Sequence, residues 1–313
     1  MSGAIGEAGK RPAQPVGLYW LALATSGVLW GVTGPLSKIA VSTGHHPLGI
    51  AFWSTLASVI VMTAIMVVRR RRLPLSREHI VFYTICGFLG TAFPHTLSYA
   101  AYQVVSVGIA VIILSLVPIL TFLVALLLRF EALEPRRAFG LVLGLIAVLM
   151  IMLPDSSLPE RSHLPWVVVL LLVAVSYSSE TLYIARKKPT NVDALATLCG
   201  LSWAALIMLT IAVPLADAWV DISRFETAEQ AAILMALFHI ASYFTFIWLV
   251  SQAGPVFAVQ TGYLVTATGV LIGLFYFGDR LGPFVWVALF LMMVGIFFVK
   301  PKENETSDPD ASR

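Results

Sequence analysis

Residues 106–128 read SVGIAVIILSLVPILTFLVALLL, a run that contains no Lys, Arg, Asp, Glu or His. A membrane-spanning helix needs about 20 largely apolar residues, because each residue adds about 1.5 Å to cross a hydrocarbon core about 30 Å thick. This run therefore predicts a transmembrane helix. The same criterion, with cuts at Pro, Gly and charged residues, predicts ten such helices over residues 18–41, 48–68, 79–103, 106–128, 136–153, 165–186, 192–214, 228–251, 256–277 and 283–300.

The composition agrees with a protein whose surface faces lipid. Of the 313 residues, 58% are hydrophobic and only 12% are charged, with a mean hydropathy of +0.88. A soluble domain has about 25% charged residues. Cys86 and Cys199 both fall within apolar runs, where we interpret them as small core residues and not as disulfide partners or metal ligands. The composition argues against a soluble enzyme.

Basic residues predict how the helices are oriented. With a cytoplasmic N-terminus, 16 Lys and Arg residues fall on cytoplasmic segments and three, Arg161, Arg224 and Arg280, on outer loops. Cytoplasmic loops carry the excess of positive charge in membrane proteins. We therefore expect both termini to be cytoplasmic, with the polar tails 1–16 and 301–313 disordered.

Two pairs of matching segments indicate an internal repeat. The segment FEALEP at 130–135 is echoed by GDRLGP at 278–283, and HTLSY at 95–99 is echoed by HIASY at 239–243. Five helices are an odd number, so a second copy enters the membrane from the opposite face, and such inverted repeats place a substrate site where the halves meet. The predicted fold is an all-α membrane protein of ten helices in two inverted five-helix repeats, 17–153 and 165–300, joined by a periplasmic linker at 154–164.

Several short motifs resemble the EamA-type repeat of the drug/metabolite transporter superfamily. They are SLVP at 115–118 with a following Gly-rich helix, LWG at 29–31, GYL at 262–264, FGDRL at 277–281 and Gly295. Together the two repeats cover nearly the whole chain. The resemblance implies a ten-helix carrier, typically in a bacterial inner membrane, that exports amino acids or related metabolites.

The sequence departs from this family pattern at three positions. Thr266 stands where the second repeat usually has Pro, and Asp279 where it usually has Glu. Glu180 stands in helix 165–186, where the family generally has an apolar or aromatic residue. Because Glu180 adds a charge inside the membrane, it is the departure that bears most on substrate choice.

Two ionisable side chains within predicted spans are the first candidates for substrate contacts. A charge in a spanning helix is costly, so it usually faces a cavity or a partner. We interpret Glu180 as a cavity carboxylate that binds a substrate ammonium or carries a coupling proton; the alternative is a structural acid that bonds to another helix. Lys38, one turn beyond Pro35, is a candidate for a substrate carboxylate, or else reaches the outer headgroups.

The duplicated His and Tyr residues are further candidates. In each copy they are four positions apart and so share a helix face, and both side chains donate and accept hydrogen bonds. Histidine titrates near neutral pH, which makes a proton a candidate coupling ion. Aromatic and amide residues in the spans complete the candidate set: Trp30, His95, Tyr99, Tyr177, His239, Tyr243, Gln260 and Tyr263.

The sequence thus favours a secondary carrier in the inner membrane that exports amino acids or related zwitterionic compounds by alternating access. An uptake carrier for a vitamin or other small metabolite is the first alternative. A membrane enzyme that acts on lipid-linked substrates is disfavoured, because the outer acidic residues show no catalytic spacing. No phosphate-binding loop or metal-ligand spacing occurs, so we expect no cofactor, no metal and no nucleic-acid partner beside the small-molecule substrate and the lipid bilayer; the oligomeric state stays open.

Overall fold

The computed structural model describes residues 15–105, 107–130, 134–152, 164–276 and 283–298. In these ranges the secondary structure is helical, without strands. The elements are α1 Val16–Val41, α2 Pro47–Val68, α3 Arg77–Gly87, a π-helix Phe88–Ala92, α4 Phe93–Val104, α5 Val107–Leu114, α6 Val117–Leu127, α7 Pro135–Met152, α8 Leu164–Lys187, α9 Ala194–Leu215, α10 Thr227–Ala253, α11 Pro255–Ala258, α12 Thr261–Tyr276 and α13 Pro283–Phe298.

Seven helical segments of the described chain are long and apolar enough to cross a bilayer. Their outer faces carry large apolar side chains, such as Leu215 and Phe275, which are more than four-fifths exposed. An exposed apolar surface of this kind suits contact with lipid. The chain is therefore a multi-pass, all-helical membrane protein, with candidate spans Val16–Val41, Pro47–Val68, Arg77–Val104, Pro165–Lys187, Ala194–Leu215, Thr227–Ala253 and Pro255–Tyr276.

The other three predicted spans, 106–128, 136–153 and 283–300, coincide with shorter helices. The first is divided, since α5 ends at Leu114 and α6 begins at Val117. Pro118 explains the division, because it cannot donate the backbone hydrogen bond that a continuous helix requires. The count of ten spans and the repeat boundaries stay predictions. The tails 1–16 and 301–313 and the linker 154–164 fall outside the described residues, apart from Pro15, Val16 and Leu164.

A second helix is divided in the same manner. Between α11 and α12, Val259 and Gln260 interrupt the helix, and Gly254 before α11 has a φ of 85°, a conformation that glycine adopts without strain. Inside a membrane, irregular backbone is tolerated only where it is buried in protein or lines a cavity. Both interruptions therefore point to the place where a site can form.

Helix α1 packs between α10 and α12. Small residues allow this approach: a Cβ atom at Gly27 would overlap Leu264, and one at Gly31 would overlap Thr268. Small residues at helix interfaces let membrane helices pack closely. Elsewhere in the described bundle α2 packs against α9, α7 against α13, and α8 against α4 and α6.

Polar contacts join the helices at both ends of the bundle. At the end formed by the α2–α3 and α8–α9 connections, Arg71 pairs with Asp193, and Lys188 Nζ donates to Ser251 Oγ at 2.6 Å. At the opposite end, His45 Nε2 lies 2.7 Å from Glu229 Oε1. Neither end of the bundle is held by apolar packing alone.

Candidate functional site

Glu180 lies in α8, two turns before the helix ends at Lys187, and only 2% of it is exposed. The hydroxyl of Tyr243, in α10, donates a hydrogen bond to Glu180 Oε1. One turn before Glu180, Ser176 Oγ donates to the carbonyl of Leu89 at 2.7 Å and fixes α8 against the π-helix. A buried carboxyl group is thus held at the junction of α8, α10 and the π-helix.

Gly90 is the residue of the π-helix that allows this junction. A Cβ atom at Gly90 would overlap both the Glu180 carboxyl group and the Tyr243 hydroxyl. Only a glycine leaves room for the carboxyl group to lie against the backbone of the neighbouring helix. Single-turn π-helices inside α-helices occur frequently at functional sites, which agrees with this position.

A cavity of about 620 Å³, open on one side, lies beside Glu180. We call it the carboxylate cavity. Of its described lining residues, Glu180 is the only acidic or basic one, and apolar and aromatic side chains form most of the wall. The lining residues are Trp30, Val111, Leu114, Val117, Tyr177, Glu180, Thr181, Phe246, Val259, Thr261, Gly262, Val265 and Thr266.

Both interrupted helices reach the carboxylate cavity. Leu114 and Val117 flank the break between α5 and α6, and Val259 and Thr261 flank the break between α11 and α12. The hydroxyl of Thr261, at the first residue of α12, is buried and has no hydrogen-bond partner in the described part of the chain. The N-terminal end of a helix carries partial positive charge. The cavity therefore offers a carboxyl group and, on another helix, a hydroxyl beside a positive helix end.

Trp30 of α1 forms the wall nearest to α10. Its indole Nε1 donates to His239 Nδ1 at 3.1 Å. Its ring lies 5.7 Å from that of Tyr243 and 5.3 Å from that of Phe246, centre to centre, distances typical of aromatic contacts. The aromatic wall and the carboxyl group are consequently one connected structure.

The two copies of the predicted His and Tyr face meet in the structure. The rings of His95 and His239 lie 4.6 Å apart, edge to face, and Tyr99 stacks on His95 at 5.4 Å. These residues line a second, smaller and more enclosed cavity with room for about one water molecule, which also includes Tyr243. We call it the histidine cavity. Tyr243 thus stands between the two cavities, because it lines the histidine cavity and bonds to the carboxyl group that lines the other.

Comparisons with known proteins agree with this architecture. The family described as EamA-like transporter family matches residues 17–153. Over 278 residues the chain is 24% identical to the uncharacterized inner membrane transporter YedA of Escherichia coli strain K12, and the alignment covers 87% of each protein. The YedA proteins of E. coli O6:H1 and O157:H7 match to the same extent. The first part of the chain, residues 17–153, is thus EamA-like. The chain is a membrane transporter and a multi-pass protein of the inner membrane.

The transporter also shares its fold with a solved crystal structure. The two superpose with a TM-score of 0.69 at 15% sequence identity, over 90% of this chain and 96% of the other. This likeness concerns the fold alone. It shows that the helix arrangement of this transporter is one that a known protein also adopts.

Of the predicted site residues of the transporter, four lie directly at the carboxylate cavity or bond to its carboxyl group: Trp30, Tyr177, Glu180 and Tyr243. Three others, His95, Tyr99 and His239, line the histidine cavity. The sequence identified these side chains by type and spacing, and the structure brings them together.

Three predicted site residues of the transporter are located elsewhere. Lys38 Nζ donates to the carbonyl of Val105 at 3.0 Å, away from the lining of both cavities. Gln260 Nε2 donates to Val256 at 3.0 Å within the α11–α12 break. Tyr263 is fully buried against Gly144. Their roles in substrate binding stay predictions, and their positions suit contacts between helices.

Several residues of the transporter's site were not among the sequence candidates. Phe246 lies seven residues after His239 and three after Tyr243, so the helical period alone would place it on the same face. Thr261 and Gly90 could not be found in this way. Their positions depend on the helix break and the π-helix, and neither leaves a distinct pattern in the sequence.

Outside the spans, the Arg71–Asp193 pair has a clear electrostatic consequence. Partial burial opposes ionisation of Asp193, but the backbone N–H of Ala196, which donates at 2.9 Å, and the Arg71 guanidinium outweigh that effect. The pKa of Asp193 therefore lies below its usual range. Asp193 is also the N-cap of α9, so one side chain both begins a helix and joins two connections.

Proposed function

We propose that this protein is a secondary active transporter that exports small metabolites with an amino group, most of all amino acids or related zwitterionic compounds, by alternating access. The observation that carries the proposal is a single buried carboxyl group, Glu180, in the wall of an otherwise apolar and aromatic cavity. A charged group inside a membrane is costly and marks a substrate or ion pathway.

The walls of the carboxylate cavity suit each part of an amino acid. Glu180 faces an ammonium group, and Trp30 adds the attraction of an aromatic face for a cation. The apolar walls accommodate the side chain. The substrate carboxylate lies at the N-terminal end of α12, where the Thr261 hydroxyl donates to it, since half-helix N-termini serve this purpose in transporters. This assignment replaces the expected role of Lys38, which bonds to Val105 instead.

Glu180 also provides a means of coupling. One carboxylate cannot hold a proton and a substrate ammonium at once, so each displaces the other. An inward proton gradient then drives export: substrate binds to ionised Glu180 from the cytoplasm and leaves on the outer side as a proton takes its place. Both termini are cytoplasmic in this scheme, in accord with the 16 basic residues on the inner segments against three outside.

Alternating access requires that the two ends of the bundle open in turn. The Arg71–Asp193 contact would separate at one end, and the His45–Glu229 contact at the other, because each joins one half of the chain to the other half. The inverted ten-helix repeat supplies the two moving halves. Support for that repeat comes from the pairing of α2 with α9 and of α7 with α13, and from the meeting of His95 and His239.

A thermal-shift screen of the purified protein tests the proposal. A ligand at about 100 times its Kd stabilises a protein by about 2.7 kcal/mol. We expect at least one amino acid or small amine to raise the unfolding temperature of the parent protein and to have no effect on Glu180→Gln. The proposal fails if only anionic or neutral metabolites stabilise the parent, or if Glu180→Gln responds to the same amines as strongly.

A further inference from the structure

The histidine cavity is joined to the carboxylate cavity by Tyr243, which lines the first and bonds to Glu180 of the second. It is enclosed by α2, the π-helix with α4, α9 and α10, and hydroxyl groups of Ser58, Thr91 and Ser202 contribute to its wall. No acidic or basic side chain other than histidine is among its described lining residues. The described lining residues are thus mostly of polar types and include no fixed charge.

Three polar atoms around this cavity are buried and have no hydrogen-bond partner among the described residues. They are His95 Nδ1, His239 Nε2 and Thr55 Oγ1. His239 Nδ1 accepts from Trp30, so the neutral ring carries its proton on Nε2, and this N–H has no acceptor. Buried polar groups in proteins are nearly always satisfied, often by bound water. Water, which both donates and accepts hydrogen bonds, can satisfy all three atoms.

Tyr243 connects this cavity to the buried carboxyl group. The Tyr243 hydroxyl donates to Glu180 Oε1. The Tyr243 oxygen also has lone pairs that can accept a hydrogen bond from another group. The substrate, by contrast, reaches Glu180 through the carboxylate cavity. Glu180 therefore has two approaches, one through an open, mostly apolar cavity and one through a tyrosine hydroxyl beside an enclosed polar cavity.

We propose that the histidine cavity binds water and delivers the coupling proton to Glu180 through the Tyr243 hydroxyl. A hydronium ion that enters the cavity gives one proton to the Tyr243 oxygen, as the Tyr243 O–H proton passes to the Glu180 carboxylate. In the net reaction, one hydronium ion and one carboxylate become one water molecule and one carboxylic acid. Tyr243 is a neutral phenol before and after the transfer. This inference rests on the proposed exchange of proton and substrate at Glu180.

Other titratable groups also surround the relay. Cys86 of α3 and Tyr177 of α8 lie within electrostatic range of Glu180, as Tyr243 does from α10. Only Tyr243 bonds to the carboxyl group and also lines the histidine cavity. In this scheme the proton reaches Glu180 from the histidine cavity while substrate still occupies the carboxylate cavity. The proton can therefore displace the substrate ammonium before the carboxylate cavity is empty.

Infrared spectroscopy after a pH jump tests the relay without substrate. The carbonyl stretch of protonated Glu180 is assigned as the band that Glu180→Gln lacks. We expect Tyr243→Phe to slow the appearance of this band by about ten-fold or more, since a positioned proton donor contributes at least that much. Rates are compared at the same final degree of protonation. Tyr83→Phe removes a buried hydroxyl that lines neither cavity and should keep the parent rate.

A second variant addresses the water-binding wall alone. Thr55→Val keeps the shape of the side chain, removes one of the unpartnered atoms and leaves Tyr243 intact, so it should slow protonation less than Tyr243→Phe does. Parent rates in both Tyr243→Phe and Thr55→Val would overturn the relay. If at the same time Glu180→Gln abolishes amine binding, only the relay is wrong. If Glu180→Gln binds amines normally, the proposed function is wrong whatever the proton route.

Discussion

Gly90→Ala tests whether the buried carboxyl junction is as closely packed as the structure indicates. The added methyl group would overlap the Glu180 carboxyl group and the Tyr243 hydroxyl. Overpacking costs about 1–3 kcal/mol, and displacement of a hydrogen bond to an ionisable group costs about 1.5–3 kcal/mol. Alanine recovers about 1 kcal/mol in helix propensity. The net expected loss of folding stability is about 1.5–5 kcal/mol.

The assay is thermal unfolding of the purified protein in detergent, with Gly262→Ala as the matched control. At Gly262 the nearest atoms to an added Cβ belong to Pro118 at 3.6 Å, an ordinary contact. Gly262→Ala should therefore unfold at or above the temperature of the parent, and Gly90→Ala well below it. If the two variants unfold at the same temperature, the junction is not close-packed and the geometry of the Glu180 site is wrong.

Three further predictions concern single side chains. Trp30→Phe removes the N–H that bonds to His239 but keeps an aromatic wall; it should weaken amine binding in isothermal titration by about ten-fold, a loss of about 1.4 kcal/mol, and unchanged affinity would exclude Trp30 from the site. Lys38→Ala should reduce transport into proteoliposomes far less than Glu180→Ala, because Lys38 bonds to Val105 and lines neither cavity; equal loss would restore Lys38 as a binding residue. The pKa of Asp193 is lowered in the folded protein. Ionised Asp193 therefore stabilises the fold fully at a pH above its pKa in the unfolded chain, and this stabilisation is lost as the pH falls through its pKa in the folded protein. Because the Arg71–Asp193 pair is more than a third exposed, the stabilisation is about 0.5 kcal/mol. Asp193→Asn keeps an N-cap residue and should show a smaller loss of unfolding temperature in acid than the parent, and identical acid profiles would contradict the ion pair.

Helix positions were predictable because the membrane imposes a simple rule on length and polarity. Each predicted span coincides with a helical segment of the described chain, within a few residues. The interruption at 115–116 agrees with the kink that Pro118 predicts. The interruption at 259–260 was not predicted, because the chain has Thr266 and not proline at the matching position. There Thr266 Oγ1 instead donates to the carbonyl of Val111, 3.2 Å away in α5, and packing of this kind is not visible in one sequence.

The candidate site was predictable where it contains side chains that are costly to bury in a membrane. Glu180 was identified because a carboxyl group in a spanning helix is costly and usually faces a cavity or a partner. The His and Tyr pairs were identified because they recur in the sequence. Lys38 satisfied the same criterion, yet it lies close enough to the end of α1 to reach a free backbone carbonyl. Sequence alone does not distinguish a cation that faces a substrate from one that bonds to the end of a neighbouring helix.

The pH dependence of amine binding tests the central claim most directly. With the tightest-binding amino acid or amine from the screen, Kd is measured by titration calorimetry from alkaline to acidic pH for the parent and for Glu180→Gln. If a proton and the ammonium compete for Glu180, the parent Kd rises with acidity toward a limit of about ten-fold per pH unit, and Glu180→Gln binds weakly at every pH. A parent affinity that is independent of pH, or a Glu180→Gln variant with the same pH profile as the parent, would contradict the claim.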